Sequence, residues 1–174
     1  LFGFEGSDTL DGDDGDDTLY GDAGADNLDG GSGIDTLSYL RTDNYTYQGV
    51  VVSLETGFAS GSDATGDIFA NFENLTGSWF NDTLIGDASD NTIDGSRGIN
   101  SMNASDGLDT LSFVSSDQAG VIASLALGQG YSGGPGMYWS IDTFTNFENI
   151  TGSSFGDVLT GDSGANRLDG LDGD

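Results

Sequence analysis

Near the start of the chain, leucine returns every nine residues, at Leu10, Leu19, Leu28 and Leu37. Each is flanked by residues such as Thr, Asp and Ser. One apolar position between two polar ones is the smallest piece of period-two alternation, so each triplet predicts a very short strand with one side chain facing in. The six residues between triplets carry Gly at the first place (Gly3, Gly12, Gly21, Gly30) and at the fourth (Gly6, Gly15, Gly24, Gly33), and Asp at the sixth (Asp8, Asp17, Asp26, Asp35). Glycine tolerates positive φ, so such a stretch can curl tightly and aim its carbonyls inward. Aspartate adds a carboxylate oxygen, the ligand type hard cations prefer. Turn plus strand, repeated, winds into a coil. Two nine-residue units complete one circuit of about 18 residues, and leucines from both sides fill a thin core.

The register returns at Gly77 as GSWFNDTLI, GDASDNTID, GSRGINSMN and ASDGLDTLS, and again at Gly152 as GSSFGDVLT, GDSGANRLD and GLDGD. These units are degenerate. Phe80 and Ser89 stand where the fourth Gly is expected, and Asn91 and Asn100 replace the Asp. A longer repeat overlays the short one: GIDTLSYL matches GLDTLSFV, and DIFANFENLTGS matches DTFTNFENITGS, at an offset of 74 or 75 residues. The chain therefore divides into a nonapeptide block at 1–38, an insert at 39–76, a degenerate block at 77–112, a second insert at 113–151 and a third block at 152–174. The inserts read as β-rich. Val50, Val51, Val52 and Leu54 form one apolar stretch; Ile68, Phe69, Phe72 and Leu75 form another, mirrored by Ile141, Phe144, Phe147 and Ile150. Their spacing is close to two more circuits, which predicts wider rungs in the same stack, with Phe80 and Phe155 plugging the junctions. No helical periodicity persists anywhere.

Charge sharpens this picture. Thirty Asp and Glu stand against three Arg, with no Lys or His, for a formal net charge of −27. A compact body with that charge repels itself unless cations neutralise it. Nucleic acid is excluded as a natural partner. The absence of His and Cys removes Ser-His and Cys-His nucleophile pairs, imidazole or thiolate metal sites and disulfides, so the chain is not read as an enzyme. Glu73 and Glu148 sit in equivalent FEN segments but several rungs apart, too far for a glycosidase pair; each is expected to hydrogen-bond a turn or to add a metal ligand. No run of about 18 apolar residues predicts a membrane span. Leu1 and Phe2 read as the tail of a repeat unit and Asp174 falls inside one, so the sequence is expected to be a stretch of a longer repetitive protein.

The nonapeptides resemble the RTX family, the hemolysin-type calcium-binding repeats with pattern G-G-x-G-x-D-x-U-x, where U is a large apolar residue. The resemblance implies a right-handed parallel β-roll, an all-β solenoid, with several calcium ions each lying between one turn and the turn two units later. It implies one site from Phe4, Gly6, Asp8, Gly21, Ala23 and Asp26, and a second from Asp13, Gly15, Asp17, Gly30, Ser32 and Asp35. Weaker sites are implied where Asp82 pairs with Asn100 and Asn91 with Asp109, each having one carboxylate and one amide, and around Asp157 and Asn166. It also implies a bacterial protein exported unfolded by type I secretion that folds outside on meeting calcium. Neighbouring repeats of the parent protein, and self-association through the open ends of the solenoid, are the expected protein contacts. Two other roles stay open: an adhesive, matrix or surface-layer block, and a glycan-binding accessory of a polysaccharide-acting enzyme using Tyr39, Tyr45, Tyr47, Tyr131, Tyr138, Trp79 and Trp139 near the inserts.

Overall fold

A computed structural model of the chain describes residues 1–40, 48–116, 119–132 and 140–173. Every leucine triplet is a strand. The first block gives β1 (Thr9–Asp11), β2 (Thr18–Leu19), β3 (Asn27–Asp29) and β4 (Thr36–Ser38). The first insert gives β5 (Val51–Ser53), β6 (Phe58–Ser60), β7 (Ile68–Ala70) and β8 (Asn74–Thr76). The second block gives β9 (Thr83–Ile85), β10 (Thr92–Asp94), β11 (Ser101–Asn103) and β12 (Thr110–Ser112). The second insert gives β13 (Ile122–Ser124), β14 (Gln129–Ser132), β15 (Ser140–Thr145) and β16 (Asn149–Thr151), before β17 (Val158–Thr160) and β18 (Arg167–Asp169).

These strands stack as two walls of a parallel β-roll. In the front wall β2, β4, β8, β10, β12, β16 and β18 run parallel in one sheet. Strand partners are 18 residues apart inside a block, as Thr9 to Asn27 and Thr92 to Thr110 show, so two nonapeptides make one circuit. The front-wall core is a column of Leu19, Leu37, Leu75, Ile93, Leu111 and Ile150, all buried. Leu28, Phe69, Val52, Leu84, Met102 and Phe144 face it from the back wall. Each nonapeptide rung buries only two or three apolar side chains, as with Leu19 and Leu28, so stability in such a stack comes from neighbour on neighbour rather than from one large core.

The inserts continue the stack but not as two plain circuits. From the front wall the chain runs ahead: β5 pairs with β9, and β13 with β17, both in the following circuit. It then reverses into an antiparallel strand, β6 or β14. It returns to the preceding circuit, where β7 pairs with β3 and β15 with β11, and re-enters the front wall at β8 or β16. Each insert thus adds three strands to the back wall for one in front. The reversal works because the inward residue of the middle strand is small. Gly130 lies beneath Phe113 and Phe144, where a Cβ would come within 3.0 and 3.1 Å of their rings. Ala59 takes the equivalent place opposite Val52. Phe69–Phe72 and Phe144–Phe147 pack edge to face in matching positions, with centroids 6.4 and 6.2 Å apart. Ile68 and Ile141, expected in the apolar stretch, instead point outward, as alternation demands once Phe69 and Phe144 face in. Phe155 is also half-exposed rather than a plug.

Candidate metal centre

The sixth residue of every turn sits at one corner of a wall, directly before its strand. There the side chains form two ladders. Along the front edge, the Asp17 N–H donates to Asp35 Oδ1 (2.8 Å), the Asp35 N–H to Glu73 Oε2 (2.8 Å), the Asn91 N–H to Asp109 Oδ1 (2.7 Å) and the Asp109 N–H to Glu148 Oε2 (2.9 Å). Along the back edge, Asp8 donates to Asp26, Asp26 to Asp67, Asp82 to Asn100 and Asn100 to Asp142 in the same way. The insert acids Asp67, Glu73, Asp142 and Glu148 therefore occupy the slot of the nonapeptide Asp. Spacing by nine misses them. The pattern of an acid followed by x and an apolar residue (Asp67-Ile68-Phe69, Glu73-Asn74-Leu75) finds them.

The turns fall into two kinds. In the open kind the second residue has positive φ: Phe4 (71°), Asp13 (61°), Asp22 (61°), Gly31 (95°), Ser96 (57°) and Ser105 (76°). These turns stack tightly. Phe4 and Ala23 exchange places in the backbone ladder, with the Ala23 N–H donating to the Phe4 carbonyl and the Gly6 N–H to the Ala23 carbonyl; Asp13, Ser32 and Gly15 repeat this. The Gly6 carbonyl lies so close to Gly24, and the Gly15 carbonyl to Gly33, that a Cβ would overlap it (1.7 and 2.0 Å). The Gly21 and Gly30 carbonyls press similarly on Gly3 and Gly12. The two six-residue sets expected from the sequence are thus brought together turn on turn. At their centre Asp8 Oδ2, Asp26 Oδ2 and Asp35 Oδ2 are buried and accept no hydrogen bond, and Asp109 Oδ2 is in the same state. A buried carboxylate oxygen with no donor is costly. It calls for a cation.

In the closed kind the second residue's own N–H fills that need. Ser78 donates N–H and O–H to Asp82 (both 2.7 Å), and Ser153 does the same for Asp157 (2.8 and 2.7 Å). Asp87 N–H donates to Asn91 Oδ1, and Asp162 N–H to Asn166 Oδ1. The amide nitrogens then point where a cation would lie. Asn91 donates to the Glu73 carbonyl and Asp87 Oδ1, and Asn166 to the Glu148 carbonyl and Asp162 Oδ1. Asn100 sits in an open turn but also engages its amide, with the Arg97 carbonyl. Asp82, Asn91, Asn100, Asp157 and Asn166, expected as weaker ligands, therefore have their polar atoms hydrogen-bonded within the protein. The four closed turns are the first two turns after each insert.

Burial raises several of the ladder carboxyls. Asp82 and Asp67 are pushed up to about 6 and Asp142 to about 7, against hydrogen bonds that pull the other way. Burial also raises Asp109 to about 6, with the charges of Glu148, Asp90 and Asp87 adding to it, and raises Asp26. Among the described residues no three acidic side chains converge on one point. Each centre would instead combine two carboxylates with backbone carbonyls, an all-oxygen set suited to calcium.

Of the aromatic residues considered for glycan binding, Tyr39 is buried and donates its hydroxyl to Asp67 Oδ2 (3.0 Å). Trp79 is half-exposed beneath the Arg97 guanidinium. Tyr131 stands on β14, outside the core. Tyr45, Tyr47, Tyr138 and Trp139 lie outside the described residues.

Stacked glycine turns with buried, donor-free carboxylates on a parallel two-walled coil define a calcium-binding β-roll. The chain belongs to the RTX family: the model of the RTX calcium-binding nonapeptide repeat matches it in four copies, over residues 2–37, 76–111 and 145–174, more than half of its length. It is a calcium-binding repeat module that takes several ions. Among curated proteins none matches the sequence significantly. Repeats of this kind are typical of secreted bacterial proteins, and among the described residues no helix is long and apolar enough to cross a membrane.

Proposed function

We propose that this module folds when calcium binds, and that it does so outside the cell, after export of the unfolded chain from a low-calcium cytoplasm. The observation that carries the reading is the set of buried carboxylate oxygens without a donor, on Asp8, Asp26, Asp35 and Asp109. In a chain of net charge −27, gathering these oxygens without a cation adds repulsion to desolvation. The thin core cannot offset that and the chain entropy together. Calcium supplies the missing counter-charge, so its binding free energy becomes folding free energy. Asp8 and Asp26, with the carbonyls of Phe4, Gly6, Gly21 and Ala23, would hold one ion; Asp17 and Asp35, with those of Asp13, Gly15, Gly30 and Ser32, another. Sites of extracellular modules commonly bind at about 0.1–1 mM, which suits a switch between cytoplasm and exterior. The role is structural rather than catalytic.

Far-ultraviolet circular dichroism during a calcium titration of chelated protein, with magnesium as control, tests this. The expected result is a cooperative gain of β signal with calcium alone. A full β signal in chelator, unchanged by calcium, overturns it.

A further inference from the structure

The two FEN glutamates have so far only a hydrogen bond to explain them. Accepting one N–H needs no charge, since Asn100 does the same for Asp82 at 3.0 Å. Yet at both front-edge junctions between a nonapeptide turn and the following insert the residue is a glutamate, and the residue whose N–H it accepts is an aspartate with a buried, donor-free oxygen. Asp35 and Asp109 are both 0% exposed. The arrangement recurs almost unchanged, with N–H to carboxylate distances of 2.8 Å at Glu73 and 2.9 Å at Glu148.

Asp109 is the more telling of the two. The turn preceding it on the front edge is closed, and the Asn91 amide is engaged with the Glu73 carbonyl and Asp87. That turn therefore has no second carboxylate to offer on the ladder. The next acid on the same edge is Glu148. Two carboxylates facing each other along one edge, one of them buried with an unfilled oxygen, repel unless a cation lies between them.

We propose that Glu73 and Glu148 are calcium ligands, each completing with Asp35 or Asp109 a site at the seam between a nonapeptide turn and an insert. This rests on the reading of the open turns as calcium sites, and extends it to residues that no nonapeptide supplies. The glutamate reaches as far as an aspartate in a regular turn because its extra methylene makes up for the irregular backbone of the insert.

The test is bound calcium per chain by equilibrium dialysis, with circular dichroism in saturating calcium, for the parent, Glu73→Gln, Glu148→Gln and the double variant. Glutamine keeps the N–H acceptor and removes the charge, so a purely structural role leaves calcium binding unchanged. The expected result is a loss of about one ion in each single variant and about two in the double variant, with the β signal retained. Unchanged stoichiometry in both single variants overturns the proposal while leaving the first-block sites standing. A parent that binds no calcium overturns the reading beneath it.

Discussion

The open turn at 30–35 and the closed turn at 86–91 solve one problem in opposite ways. Both must place an oxygen-rich sixth residue at the corner of a rung, out of water. In the closed turn Asn91 brings its own donor, and every polar atom of its amide finds a partner inside the protein. In the open turn the second residue, Gly31, adopts positive φ and no N–H comes back to Asp35 Oδ2, which is left bare. One turn is satisfied by the protein's own donors; the other leaves a buried carboxylate oxygen without one. The module alternates them, so the first rung after each insert is the one whose sixth-position side chains are satisfied within the protein.

The largest effect should come from forcing a closed turn to carry a charge. Asn91→Asp with Asn166→Asp replaces two amide donors by carboxylate oxygens facing the carbonyls of Glu73 and Glu148. At fixed millimolar calcium this should destabilise the module by about 2–4 kcal/mol, read as a lower urea midpoint. An unchanged midpoint would show that the two kinds of turn do not differ as described.

The reverse exchange, Asp35→Asn, should make an open turn less dependent on metal. Oδ1 still accepts the Asp17 N–H, and the amide nitrogen replaces the bare oxygen. Linkage gives roughly 1.4 kcal/mol of stability per tenfold change in free calcium for each saturating site. The variant's urea midpoints should therefore depend less steeply on calcium than the parent's, and equal slopes would break the assignment.

The smallest effect concerns protons. Burial raises Asp142 to about 7, beside Asp94 and Asp82. The folded state thus holds a proton that the unfolded state, with an ordinary carboxyl, releases near 4. That contribution is present below about pH 4 and is lost as pH rises through 7. Asp142→Asn removes the titration while keeping an acceptor for the Asn100 N–H. Compared at fixed calcium, the variant should exceed the parent in urea midpoint by more at pH 8 than at pH 5. A difference that does not vary with pH would place the proton elsewhere.

Much of this was legible in the sequence. Period nine located the regular strands, because Leu10, Leu19, Leu28 and Leu37 must each face the same thin core. The sets around Asp8–Asp26 and Asp17–Asp35 came from the resemblance to the RTX repeats, laid on that register. The β6 and β14 reversals were not legible, since a three-residue strand carries no mark of its direction, and pairing direction is decided by tertiary contacts such as those of Gly130 with Phe113 and Phe144. Closed turns were half legible. Phe80, Ser89 and Phe155 lack the fourth glycine that every open turn has, but Gly164 keeps it. There the neighbouring rung decides, through the Glu148 carbonyl that Asn166 reaches. A motif describes one turn, whereas these bonds join two.

The ladders also have an arrow. In each link from a backbone N–H to a sixth-position side chain the donor belongs to the earlier rung and the acceptor to the later one, from Asp8 to Asp26 through to Asp109 to Glu148, while the amides of Asn91 and Asn166 point back to the Glu73 and Glu148 carbonyls. A later rung thus caps the sixth-position N–H groups of the rung before it with its side chains, while the earlier rung's carbonyls accept N–H groups of the later one, as Asp8 does for Asn27. The side-chain caps at a rung's corners are therefore supplied from its C-terminal side, and its backbone acceptors there face the same neighbour. A solenoid built this way is polar, and its two ends are chemically unlike surfaces.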